Sequence, residues 1–249
     1  MKSLTLVASA AAFAVSTGVA GANQLVTSEP TTFRFVVGDA VNNAYTPPSG
    51  QIQLPAEHAD IDVVYDGDWE LGWHTEDGEI EASGAYAFAP DLSKLSRPAG
   101  SQWDFIGTPA GGDVYIIPQN ETNGIVFLGI ATEESDDSLL APWGPGGRAS
   151  GLWFELKLVS FTGPNGGQFS LWQTDTFGSP TASISTANGV NDDDAVYING
   201  LTHAHYNFGF TEPGIYDLTF EATTNVVPEP AALSALSLGA LALLRRRRA

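Results

Sequence analysis

Short runs of alternating apolar and polar residues recur along most of the chain. Valine, isoleucine and aromatic residues fill these runs, and 27 glycines and 15 prolines separate them. A period of two residues is typical of β-strands that bury one face. The candidate strands are residues 32–37, 59–65, 69–75, 113–117, 124–131, 152–162, 168–173, 195–198, 204–210 and 214–222. About ten strands at this spacing predict an all-β fold, an antiparallel β-sandwich.

The same alternation separates a core face from a polar face in each run. His58 comes just before run 59–65, and Asp60 and Asp62 alternate with the apolar residues of that run. In run 204–210, Tyr206, Phe208 and Phe210 share the core face. His203, His205 and Asn207 share the opposite face, and His74 lies on the polar face of run 69–75. All four histidines are therefore expected on polar strand faces, beside carboxylates.

The first 22 residues have the three parts of a secretory signal peptide. Lys2 supplies the positive charge, and residues 4–19 form an apolar and small-residue run. Ala20-Gly21-Ala22 ends it with a small-x-small cleavage pattern. We expect a signal peptidase to remove residues 1–22, so that the mature chain begins near Asn23.

A second tripartite signal occupies residues 227–249. Val227, Pro228, Glu229 and Pro230 come first, residues 231–244 carry no charge, and Arg245, Arg246, Arg247 and Arg248 follow. These fourteen residues are too few for a permanent transmembrane helix, which needs roughly 20 residues. The arginines are expected to stay on the cytoplasmic side. The stretch 231–244 is thus expected to be a transient membrane anchor.

This ordered combination resembles the PEP-CTERM tag of Gram-negative bacteria. The resemblance implies that an exosortase recognises the Val-Pro-Glu-Pro motif and removes the helix after it. It also implies an exported protein at the cell surface or in the extracellular matrix, with exopolysaccharide as a candidate partner. A plain C-terminal tail anchor is the alternative, but it leaves Pro228-Glu229-Pro230 unexplained.

The charge of the region between the two signals limits its partners. The chain has a formal net charge of −19, but five of its ten basic residues are Lys2 and the four terminal arginines. Residues 23–230 keep five basic residues against all 29 acidic ones, a net charge of −24. Such a surface repels nucleic acid. The absence of cysteine excludes disulfides, thiol catalysis and thiolate metal sites.

Residues 23–226 are expected to form one domain, and they resemble the choice-of-anchor M domain of bacterial surface proteins. The resemblance begins at His58-Ala59-Asp60-Ile61-Asp62 and continues through 109–119 and 163–172. It is clearest in 202–216, where His203, His205, Asn207 and the Phe-Thr pair 210–211 match the family's His-x-His-x-Asn-Trp-x-Phe-Thr signature, with Phe208 in place of Trp. The resemblance implies a surface-anchored ectodomain, and the family has no settled activity.

The histidines carry the most specific candidate chemistry. His203 and His205 project side by side from one strand, as His58 and Asp60 do from another. If the two strands are neighbours, these residues form a ligand set for a divalent metal, Zn²⁺ rather than Ca²⁺. Asp62 or Asn207 would then orient the imidazole rings. The alternative is a solvated polar face with structural hydrogen bonds.

Other candidate sites are weaker. The loop Asn191-Asp192-Asp193-Asp194 could bind Ca²⁺ but lacks an EF-hand pattern, so a solvated loop is the better interpretation. The acidic run 133–137 is weaker still. Trp143 lies in a Gly- and Pro-rich loop, where it could stack on a sugar ring, whereas Trp69, Trp73, Trp153 and Trp172 are expected in the core.

An enzymatic function is not expected. The chain lacks a Gly-x-Ser-x-Gly elbow and a His-Glu-x-x-His motif. Pairs of carboxylates could serve a hydrolase, but with 29 acidic residues they arise by chance. The sequence therefore favours a non-enzymatic ectodomain, with a carbohydrate-binding module and an extracellular hydrolase as the alternatives.

The two terminal signals predict processing at both ends. The protein isolated from its native host should lack residues 1–22 and the tail from about Ala231 onward. Intact-mass spectrometry measures both cleavages at once. A mature species that keeps Arg245 to Arg248 would contradict the sorting prediction.

Overall fold

A computed structural model describes residues 23–38 and 50–228, and residues 23–227 form one compact unit. The predicted signal peptide, the charge-free stretch 231–244 and the terminal arginines lie outside the described residues. Within 23–38 and 50–228, no helix has the length and apolar character needed to cross a membrane.

The fold is all-β, as the alternating pattern predicts. The strands of the described residues are β1 Gln24–Thr27, β2 Thr31–Val37, β3 Ile52–Gln53, β4 His58–Tyr65, β5 Trp69–Thr75, β6 Gly78–Glu81, β7 Ala85–Ala89, β8 Lys94–Ser96, β9 Asp113–Ile117, β10 Phe127–Ala131, β11 Trp153–Thr162, β12 Phe169–Thr174, β13 Pro180–Ser185, β14 Ala195–Asn199, β15 His203–His205, β16 Asn207–Phe210 and β17 Gly214–Val226. Short 3₁₀ turns cover Ala82–Gly84, Asp91–Ser93, Ser101–Ile106, Asp137–Leu139, Pro145–Gly147 and Thr186–Asn188.

All ten predicted runs contain strands, and the additional strands are mostly short. β3 has two residues and β8 has three, too few to show a period of two. The alternation of apolar and polar residues therefore cannot predict these two strands. Most strand pairs are antiparallel, as expected, but β4 with β10, β2 with β7 and β3 with β7 are parallel.

The strands form three sheets. The largest has the order β14-β11-β17-β2-β7-β3, with β1 also paired to β17. The second has the order β15-β10-β4-β5-β6, and the third β13-β12-β16-β9-β8. We call the second one the histidine sheet, because it carries His58, His74, His203 and His205.

Aromatic side chains on β2 join the largest sheet to the other two. Phe33 meets Trp73 of the histidine sheet edge to face, with ring centroids 4.9 Å apart. Phe35, two residues further, stacks on Phe208 of the third sheet at 5.8 Å. Because alternate residues of one strand point to one face, β2 contributes to a single core shared by all three sheets.

The predicted strand 204–210 is two strands in the structure. His203–His205 pairs with β10 in the histidine sheet, whereas Asn207–Phe210 pairs with β12 and β9 in the third sheet. Tyr206, between them, is buried. The chain thus changes sheet at Tyr206, and the alternation continues across the change because both sheets cover the same core.

The prediction that four tryptophans lie in the core holds fully for two of them. Trp73 and Trp172 are buried, and the Trp73 indole N–H donates to the carbonyl of Ala82. Trp69 and Trp153 are only partly buried. Trp69 still packs against Phe154 of the largest sheet, with centroids 6.0 Å apart.

The shared core predicts a large cost for removing a ring from β2. Phe33→Ala should lower the free energy of unfolding by about 3–5 kcal/mol, because it deletes a fully buried phenyl group and leaves a cavity. Phe177→Ala is the matched control, since Phe177 is 92% exposed, and it should change stability by less than about 0.5 kcal/mol. Urea unfolding measures both, and equal costs would contradict the packing described.

Candidate metal centre

The polar face of the histidine sheet brings the predicted metal ligands together. β4 supplies His58 and Asp60, and β15 supplies His203 and His205. The two strands are not direct neighbours, the condition set out for this site, because β10 lies between them; their ligands nevertheless come together. β10 runs parallel to β4 and antiparallel to β15.

Small residues on β10 allow the ligands to approach one another across that strand. Gly129 is opposite Asp60 on one side and His205 on the other. A Cβ at Gly129 would overlap Asp60 Oδ1 and would lie 3.1 Å from His205 Cε1. Ala131 is likewise opposite Asp62 and His203. A glycine inside a strand is typical of such a close approach. Gly129 is therefore a feature of the sequence from which the close approach could have been predicted.

Three imidazoles converge above this gap, and we call His58, His203 and His205 the histidine triad. Each offers a ring nitrogen, and these nitrogens lie within 4.8 Å of one another. The ring centroids are 5.3–5.7 Å apart. A tetrahedral ion at about 2.1 Å from each nitrogen requires separations of about 3.4 Å, so small side-chain rotations would complete the geometry.

Neighbouring groups hold two of the three rings. Phe127 stacks face to face on His205, with centroids 3.7 Å apart and an interplanar angle of 8°. His203 Nδ1 lies 3.1 Å from Glu133 Oε1. A carboxylate on one ring nitrogen fixes the tautomer and leaves the other nitrogen free to bind a ligand. Neither Phe127 nor Glu133 is singled out by the strand pattern.

Asp60 lies beside the triad and is buried. It is 4% exposed, its Oδ2 is 3.4 Å from His58 Nε2, and its Oδ1 has no hydrogen-bond partner among the described residues. Burial raises the pKa of Asp60, although the neighbouring histidines oppose the shift. A buried carboxylate oxygen without a hydrogen bond is costly unless a cation lies near it.

The environment of His205 also suits metal coordination. Burial lowers the pKa of His205, which favours the neutral ring that a metal ligand requires. Its Nδ1 is buried and makes no hydrogen bond of normal geometry within the described residues. Three imidazoles, an orphaned carboxylate oxygen and the gap above Gly129 together fit a divalent transition metal.

A second group of potential ligands lies beside the triad on the same face. Asp62, His74, Glu79 and Glu134 offer ligand atoms within 4.8 Å of one another, and we call them the acidic cluster. His74 Nδ1 is 3.9 Å from both Asp62 Oδ2 and Glu134 Oε1. Asp62 is only 5% exposed, and burial, together with the charge of Glu134, raises its pKa to about 6.

The predicted ring-orienting roles of Asp62 and Asn207 do not appear at the triad. Asp62 faces His74, which belongs to the acidic cluster. The Asn207 side chain donates to Gln119 Oε1 and accepts from the Gln119 backbone N–H, 2.8 and 3.1 Å away. Because Asn207 comes after the change of sheet at Tyr206, its side chain contacts the third sheet and not the histidines.

The other candidate sites have structural roles in the described residues. Asp194 is buried and accepts from the backbone N–H groups of Ser185 and Asn191, so it closes the acidic loop on itself. Asp136 accepts from the backbone of Ser138. Trp143, the candidate for stacking on a sugar ring, donates its indole N–H to the carbonyl of Trp153 at 2.7 Å, so the ring is held against β11.

Comparisons with protein-family models, with curated proteins and with solved structures give no match. The two family resemblances therefore stay predictions.

The raised pKa of Asp62 predicts a pH-dependent stability of the metal-free protein. The ordinary pKa of an aspartate side chain is 3.8, and burial raises the pKa of Asp62 to about 6 in the folded protein, so between these values the folded state holds a proton that the unfolded state has lost. The free energy of unfolding should therefore fall as the pH rises through this interval, and at pH 7 the full cost of ionising the buried carboxyl should be present.

Asp62→Asn should remove that penalty. In the presence of a chelator, it should raise the free energy of unfolding at pH 7 by roughly 1–3 kcal/mol, since one pKa unit corresponds to about 1.4 kcal/mol. At pH 3.5 this gain in the free energy of unfolding should vanish, because Asp62 is then protonated in the folded state and largely protonated in the unfolded state. Glu70→Gln, which changes an exposed carboxylate on the next strand, is the control and should show no such trend. A gain that is the same at both pH values would contradict the assignment.

Proposed function

We propose that this protein is an exported, surface-sorted, non-enzymatic ectodomain that binds a divalent transition metal through His58, His203, His205 and Asp60. The observation that carries the proposal is the convergence of three imidazoles, from strands far apart in the sequence, beside a buried carboxylate. The apolar residues that alternate with these ligands pack in or against the core, Ala59 and Ile61 on β4 and Ala204 on β15, so the fold holds the backbone of each ligand in place before any ion binds.

The charge distribution supports a metal over the alternative of a solvated face. Asp60 and Asp62 are too buried to be solvated in the ordinary way. The five basic residues of the described chain all have partners away from this face: Arg34 with Asp217, Lys94 with Asp113, Arg97 with Asp104, Lys157 with Asp192, and Arg148 over the Tyr197 ring. The histidine sheet therefore has no lysine or arginine to neutralise its carboxylates, and a bound cation would do so.

The ligand types favour zinc. Imidazole nitrogens suit Zn²⁺ and its neighbours in the transition series, whereas Ca²⁺ takes oxygen ligands almost entirely. Three histidines and one carboxylate make a four-coordinate set of the kind Zn²⁺ accepts. With no cysteine in the chain, imidazole is the softest strong ligand available.

The proposed location rests on the terminal signals. A signal peptidase would remove residues 1–22, and an exosortase would process the segment after Val227-Pro228-Glu229-Pro230. Residues 231–244 would hold the chain in the inner membrane until then. The mature domain would act at the outer envelope or in an exopolysaccharide matrix, where a strongly acidic surface meets a supply of dissolved cations.

Zinc should stabilise the folded protein through the triad. Zn²⁺ at 100 times its dissociation constant should raise the free energy of unfolding by about 2.7 kcal/mol, because it binds the folded state. His203→Ala should abolish most of this gain. His74→Ala, a histidine on the same face outside the triad, should keep most of it. Thermal unfolding with and without Zn²⁺ measures all three proteins.

Two further results distinguish coordination from general charge effects. The stabilisation should fade below about pH 6, where free imidazole becomes protonated and stops binding metal. Gly129→Ala, which leaves every ligand in the chain but pushes on Asp60 and His205, should also weaken zinc binding. If His203→Ala keeps the full zinc-dependent shift, the proposed site is wrong.

A further inference from the structure

The acidic cluster differs from an ordinary patch of surface carboxylates in the burial of Asp62. Its side chain is more than nine-tenths buried, and no described residue donates a hydrogen bond to it. Its one ion-pair contact among the described residues is with His74 Nδ1, at 3.9 Å. A carboxylate that has lost most of its water without gaining a hydrogen-bond donor is destabilised as an anion unless a cation lies near it.

The sheet register directs ligands from several strands toward Asp62. Its direct neighbours on either side are Gly72 and Ala131, which are too small to cover it. His74 comes from β5 and is opposite Glu79 on β6, while Glu134 reaches over from the segment after β10. Asp62, His74 and Glu134 line one cavity of about 240 Å³ that also reaches His58 and Asp60.

We propose that Asp62, His74, Glu79 and Glu134 bind a second divalent cation, of the type represented by Mn²⁺. Three carboxylates and one imidazole combine the oxygen ligands preferred by hard cations with a nitrogen that Ca²⁺ and Mg²⁺ take less readily. Mn²⁺ accepts both kinds of ligand. The cluster carries up to three negative charges, so a divalent cation also relieves the repulsion among them.

This cation would lie beside the zinc of the proposed function without sharing its ligands. Asp60 and Asp62 are two residues apart on β4, which places their side chains roughly 7 Å apart along the strand. The proposed second site does not rest on the histidine triad. The polar face of the histidine sheet would hold two ions that prefer different ligands. One would be bound mainly by nitrogen atoms, and the other mainly by oxygen atoms.

The test uses Mn²⁺ alone as the probe and electron paramagnetic resonance as the readout. The signal of free Mn²⁺ falls as the purified protein binds it, which gives the stoichiometry and dissociation constant. Glu134→Gln, at an exposed position, should weaken Mn²⁺ binding at least tenfold, and so should Asp62→Asn. Glu70→Gln removes one charge from the same face outside the cluster and should leave the binding unchanged.

Nitrogen coupling identifies the ligand set. Bound Mn²⁺ should show the hyperfine coupling of one imidazole nitrogen, and His74→Ala should remove it. His203→Ala should leave Mn²⁺ binding intact while it removes the zinc effect, so the two proposals can fail separately. Equal weakening by Glu70→Gln, or unchanged binding in both Glu134→Gln and Asp62→Asn, would overturn the second site.

Discussion

The burial of two carboxylates on one strand is the constraint on which the candidate metal-binding face of the histidine sheet depends. Asp60 and Asp62 occupy alternate positions of β4, between residues that fill the core on the opposite side. Both side chains are largely buried, the buried Oδ1 atom of Asp60 has no hydrogen-bond partner among the described residues, and Asp62 contacts only His74 as an ion pair there. Because β4 is fixed by its core contacts, the strand cannot turn these groups out to solvent without exposing Ala59, Ile61 and Val63.

This arrangement makes the metal-free face electrostatically unfavourable. Burial raises the pKa of both carboxyl groups, and the basic residues of the described chain are committed elsewhere. Natural proteins retain such unfavourable groups mainly at functional sites, where a ligand compensates for them. The imidazoles beside Asp60 and the carboxylates beside Asp62 give each group its own candidate ligand set.

Local patterns predict the strands and faces of this protein well, and long-range pairing poorly. The alternation in residues 58–65 and 203–210 identifies the polar positions that hold the histidines, because a period of two is a property of each strand alone. It does not reveal that β10 separates β4 from β15, or that the chain changes sheet at Tyr206. The alternation therefore places Asn207 beside the histidines, whereas its side chain bonds to Gln119. Glu133 and Glu134 reach the face from a loop, where no periodicity directs them. Gly129, by contrast, is a local feature that indicates a close approach of neighbouring side chains, here Asp60 and His205.

The most direct measurement of the central claim is anomalous X-ray diffraction at the zinc edge from crystals soaked in Zn²⁺. The account predicts one strong peak bounded by His58, His203 and His205, about 2.1 Å from a nitrogen of each ring, with Asp60 on its buried side. A fully folded protein with no peak between these rings, at a zinc concentration that saturates the thermal shift, would contradict it.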